Sequence, residues 1–162
     1  MRSELILPIS FMMGTISYFL IAKWYVMPWA RQQSLTDALT PILLLHSFRY
    51  IGMTFLIEGV TTQALDSRFA DPAAYGDLLA AVLAFVALFA LRTSWKAAIS
   101  LVWIFNIEGT VDLLNAVGRG ILFNTDGHMG ATFFIPIVIV PLLLVTHGMI
   151  FQILLKRKQF NE

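Results

Sequence analysis

Residues 103–116, WIFNIEGTVDLLNA, decide how this chain folds. The stretch opens apolar and then places Asn106, Glu108, Asp112 and Asn115 within a segment flanked by long apolar blocks. A carboxylate inside hydrocarbon is costly, so it pairs, takes a proton or faces water. Finding what neutralises Glu108 and Asp112 is therefore the same problem as finding the architecture.

The apolar blocks are unmistakable. Of 162 residues, 58% are hydrophobic and only 13% charged, far from the balance of a soluble domain. The length suits one domain. The expected fold is an all-α bundle of five transmembrane helices forming a single integral membrane domain over 1–162. Its spans are read at about 5–22, 38–60, 72–91, 97–116 and 131–155, each near the ~20 residues a bilayer crossing needs. Lys23 closes the first span, Asp71 is placed as N-cap of the third with Pro72 at its first helical position, and Arg92 ends it. No small-x-small cleavage site follows the first segment, so it is read as retained.

Lys and Arg are distributed asymmetrically. Lys23, Arg31, Arg92, Lys96, Lys156, Arg157 and Lys158 fall on one side, and Arg2, Arg68 and Arg119 on the other. The positive-inside rule then puts the N-terminus outside and the C-terminus in the cytoplasm, in a multi-pass protein of a cell membrane, a bacterial inner membrane by expectation. Trp24, Tyr25, Trp29, Tyr75 and Trp95 fall near span ends, where interfacial aromatics belong. A net charge of +1 gives no reason to expect nucleic acid. The absence of Cys excludes disulfides, thiolate metal sites and cysteine nucleophiles.

At 100° per residue, Glu108, Asp112, Asn115 and Arg119 share one face of span four, while Trp103, Asn106 and Thr110 share a second. Two polar faces suggest a central position for this span. Counting ~1.5 Å per residue from the basic ends puts Arg49 and Glu108 at about the same depth, slightly past the bilayer centre. His46, His147 and Asn106 form a neighbouring level. Arg49 is thus the expected counter-ion of Glu108, Asp112 or both. Glu58, half a turn away from Arg49, is placed at the interface. Ser10, Gly14 and Ser17 form a small-residue ridge for close helix packing.

The reading of function follows from that level. Arg49, Glu108, Asp112, His46, His147, Asn106, Thr110, Asn115 and Trp103 are expected to line an intramembrane pocket between spans two, four and five. It would bind a small or lipid-like ligand, with or without proton-coupled transport. No cofactor is required by this reading. A b-type haem held axially by His46 and His147, with Gly52 or Gly148 leaving room for the ring, is the alternative. A lipid or terpenoid isomerase using Glu108 or Asp112 as acid is another, so enzymatic activity stays open. No His-x-x-x-His or Glu-x-x-His spacing occurs, and no metal site is expected. His128 is read as a solvated loop residue. Partners besides the bilayer and the ligand are a second copy of the chain or a larger membrane complex.

Overall fold

The computed structural model describes residues 5–156. Arg2, Arg157 and Lys158 lie outside the described residues. Among the described residues there are five long helices and no strand. They are α1 (Ile6–Ala30), α2 (Leu35–Leu56), α3 (Ser67–Arg92), α4 (Ala98–Leu122) and α5 (Gly130–Leu155). Four of them, all but α4, are long and apolar enough to cross a membrane. At 25 residues α4 has the length too, but Glu108, Asp112 and Arg119 interrupt its apolar run.

Several boundaries move from their expected positions, for local reasons. Helix α1 runs past Lys23 through a wide π turn at Ala22–Val26 to Ala30. Helix α3 begins at Ser67, not at Pro72, because Asp66 supplies the N-cap by accepting the Arg68 amide at 2.9 Å. Pro72 consequently sits inside the helix. It has no N–H for the carbonyl four residues back, that of Arg68. Arg119 of α4 takes over, its Nη1 donating to the Arg68 carbonyl at 2.7 Å while its Nε donates to Asn115 Oδ1. The substitution Pro72→Ala restores the missing donor. Arg119→Ala should therefore cost about 1 kcal/mol in the native chain and almost nothing in a Pro72→Ala background, as thermal midpoints in detergent would read.

The same logic seats α1. Pro141 cannot donate to the Ile137 carbonyl, and Gly14 packs there. A methyl group at Gly14 would lie 2.9 Å from that oxygen. Of the ridge, Gly14 thus serves packing against α5, whereas Ser17 is exposed.

Helix α2 changes type midway. Leu35–His46 is α-helical, capped by Ser34 Oγ accepting the Asp37 amide, and Ser47–Leu56 winds as a 3₁₀ helix. A ten-residue 3₁₀ run is uncommon. Its period of three aligns His46, Arg49, Gly52 and Phe55 on one buried line. The Ser47 and Thr54 hydroxyls each donate to a carbonyl three residues back, matching that winding.

Two apolar cores fill the bundle. One includes Leu43, Ala84, Phe105 and Met149, the other Phe55, Ala73, Leu113 and Leu143. On each of α2 to α5 the polar residues fall between these two sets. A run of small residues lets α3 approach its neighbours, with Ala73, Ala80, Ala84, Ala87 and Ala90 all nearly or fully buried. Helix α4 is not central: Ile104, Ile107, Val111 and Leu114 form an exposed apolar stripe along it. Its two polar faces flank a greasy one.

Candidate functional site: a buried Arg49 cluster beside an apolar cavity

The middle layer centres on Arg49, which is fully buried. Its Nε donates to Asp77 Oδ1 at 2.8 Å and its Nη2 to Asp112 Oδ2 at 2.6 Å. Its Nη1 donates to the Gly109 carbonyl at 3.1 Å and lies 3.4 Å from His147 Nε2. The guanidinium so ties α2 to α3, α4 and α5. A buried ion with its donors met this way is held firmly, while either partner alone would be an uncompensated charge.

Asp77 is the residue that sequence reasoning missed, and with it the part played by the third span. It is the single charged residue between Pro72 and Leu91. That was its one visible signal. Nothing in the α3 sequence shows that this carboxylate turns toward α2. Asp112 meets Arg49, but Glu108 does not. Glu108 Oε2 is buried without a hydrogen-bond partner, so Arg49 is not the counter-ion of Glu108. One helical turn before Asp112, it is left out while the three guanidinium nitrogens are engaged by Asp77, Asp112 and the Gly109 carbonyl.

Three glycines make the cluster possible. A methyl group at Gly52 would collide with the Asp77 carboxylate, and one at Gly76 with that of Asp112. One at Gly109 would lie 2.7 Å from Arg49 Nη1 and from His147 Cε1. The ionic groups thus lie directly against helix backbones. Gly148, by contrast, faces open space.

The histidines sit on the same layer with their rings in contact, centroids 4.2 Å apart. Asn106 Oδ1 lies 2.7 Å from His147 Nδ1, and an amide oxygen only accepts, so Nδ1 carries the proton and Nε2 accepts from Arg49. The Asn106 amide nitrogen donates to the His147 carbonyl at 3.4 Å. For His46, Nε2 lies 2.9 Å from the Thr146 hydroxyl, which is also within reach of the Leu142 and Leu143 carbonyls of α5. Nδ1 of His46 is left buried and unpartnered. This arrangement does not fit an axial haem pair. Direct ring contact leaves no space for a porphyrin, both His147 nitrogens are engaged, and Gly52 makes room for Asp77 and not for a flat ring. Asn106→Leu would strand the His147 N–H, and it should cost about 1–3 kcal/mol of stability, read as a lowered thermal midpoint without loss of helical content.

The remaining candidates are dispersed. Thr110 Oγ1 donates to the Asn106 carbonyl within α4. Trp103 packs on Phe151 away from the cluster. Asn115 is exposed and holds Arg119. His128 and Glu58 are exposed near the loops, His128 Nδ1 lying 2.7 Å from Gln63 Nε2.

A cavity of about 440 Å³ lies to one side of this layer. Leu7, Phe11 and Met12 of α1, Phe55 of α2, Phe69 of α3, Leu113, Ala116 and Val117 of α4, and Ile135 and Val140 of α5 form apolar walls. Its polar lining comes from Asp77, with Asn124 and Thr125 from the α4–α5 connection. None of the nine residues expected to line a pocket faces it. A far smaller void lined by Arg49 and Gly52 shares Asp77, Leu113, Ile135 and Val140 with it, so the cavity ends at the ionic cluster. The family described as Domain of unknown function (DUF8737) has a model that matches residues 6–155. No curated protein and no solved structure matches the chain.

Proposed function

The chain belongs to the DUF8737 family, and from the arrangement of its site we propose that it is a five-span protein of a cell membrane that binds a small, lipid-like molecule. One observation carries the reading. An apolar cavity of about 440 Å³ ends on a buried charged residue, Asp77. Small-molecule sites have that size and make-up, mostly apolar with a few converging polar groups.

Five crossings follow once α4 is counted. Its carboxylate Asp112 is neutralised by Arg49, so the helix can sit at bilayer depth despite its charges. Arg92 of α3 lies 3.8 Å from Asp37 of α2, which supports grouping the basic ends on one face, cytoplasmic by the positive-inside rule. Entry is lateral, beside α1. That helix buries no residue between Ile6 and Ile21 and contributes Leu7, Phe11 and Met12 to the cavity wall. Proton coupling would draw on Glu108, whose buried oxygen has no partner. An isomerase using Glu108 or Asp112 is less well supported, since neither lines the cavity.

A cavity-filling change tests the reading. Protein purified in mild detergent should carry an extractable lipid-like molecule, detected by mass spectrometry of an organic extract. Ala116→Phe should remove most of it while the protein stays folded. Equal content in both proteins would end the proposal.

A further inference from the structure

We infer that the cavity selects a cationic amphiphile, with the alkyl chain along the apolar walls and a single ammonium head at Asp77. This inference rests on the cavity reading above and adds to it the charge of the occupant.

The cavity has one charged lining residue, and it is acidic. Asp77 contributes to the wall, while Arg49 does not. Arg49 Nε holds Oδ1 of Asp77, and no hydrogen bond among the described residues occupies Oδ2. The side chain keeps 12% exposure, in a layer where the guanidinium keeps none. A ligand entering the cavity therefore meets a carboxylate oxygen and no free cation.

Charge balance points the same way. One guanidinium stands against three carboxyl groups in this layer, pairing with Asp77 and Asp112 and leaving Glu108 without a partner. His147 is neutral by its hydrogen bonds, and a second proton on His46 would leave its buried Nδ1 without an acceptor, so neither ring is counted as a positive charge. With the carboxyls ionised, the layer has two negative charges more than positive ones. An uncompensated buried charge is expensive, and a positive head group at Asp77 would offset part of that cost. An anionic head group would add to it. It would also have to displace Asp77 or Asp112 from Arg49, whose Nε, Nη1 and Nη2 are all engaged. A neutral hydroxyl head could donate one hydrogen bond to Asp77 Oδ2 but would leave the excess negative charge uncompensated, and Thr125 Oγ1 already donates to the Gly120 carbonyl.

Three probes of one chain length separate the possibilities: dodecyltrimethylammonium, dodecanol and dodecanoate. Adducts would be counted by native mass spectrometry of protein released from a neutral detergent, over a concentration series. Wild-type protein should bind the ammonium about tenfold more tightly than the alcohol, and dodecanoate most weakly. Asp77→Asn keeps an acceptor for Arg49 Nε and should bring the ammonium down to the level of the alcohol. Ala116→Phe should weaken all three together. Equal binding of the three probes by wild type, each weakened in Ala116→Phe, would overturn the ammonium inference and leave the cavity reading standing. Tightest binding of dodecanoate would overturn it in favour of Arg49 as the recognition group. Adducts unaffected by Ala116→Phe would sink the cavity reading itself. Should Asp77→Asn fail to fold, the head-group order in wild type still decides.

Discussion

Arg49→Gln should destabilise the protein by about 3–5 kcal/mol, the range for removing one partner of a buried ion pair. The lost attraction is the smaller part of the effect. Asp77 and Asp112 would remain buried with no cation, and the Gly109 carbonyl and His147 Nε2 would lose a shared donor. Much of the loss should therefore be recoverable without restoring the charge. Arg49→Gln combined with Asp77→Asn and Asp112→Asn removes all three charges, with Asn isosteric with Asp and Gln keeping an amide donor on a shorter stem. Neutral replacement of a whole buried network is often tolerated. The measurement is the denaturation midpoint of the three proteins in the same detergent. If Arg49→Gln melts with wild type, the ionic layer does not hold the bundle. If the triple variant is as unstable as the single one, the argument from uncompensated charge is wrong.

The second large effect is expected at the glycines. Gly52→Ala, Gly76→Ala and Gly109→Ala each put a methyl group where a charged side chain already lies. Overpacking of this kind costs about 1–3 kcal/mol. Here the atoms that must move are those of Arg49, Asp77, Asp112 and His147, so hydrogen bonds are lost along with space. Gly148→Ala supplies the internal control. Nothing lies within 4 Å of a methyl group there, and alanine exceeds glycine in helix propensity by up to about 1 kcal/mol. The three layer variants should melt below wild type and Gly148→Ala at or above it. A Gly52→Ala protein as stable as Gly148→Ala would mean that Asp77 is not pressed against α2.

Parts of this were legible without coordinates. The apolar blocks place helices, and a charge inside such a block must find a partner, so Arg49 could be matched from depth and helix face to the acids of the fourth span, Glu108 or Asp112. The pairing of Arg49 with Glu108 failed because depth says nothing about rotation. Asp77 gives a weaker signal, since with Asp71 as N-cap it falls within the first two turns of the third span, and only the start at Ser67 puts it well inside α3. The 3₁₀ winding of α2 escaped a reading at 100° per residue, although His46, Arg49, Gly52 and Phe55 repeat every three positions.

By itself, then, the sequence determined that the chain is helical, that its helices are apolar, and that ionisable groups are held at mid-depth. Those properties follow from composition and from the rise of a helix, which are local. The tertiary structure alone decided that Asp77 and Asp112 share Arg49, that Glu108 is left out, that the histidine rings touch, and that an apolar cavity ends at Asp77. Each of these depends on which helices are neighbours and how each is turned about its axis. Small residues such as Gly52, Gly76, Gly109 and the buried alanines of α3 set that by how closely they let one backbone approach another.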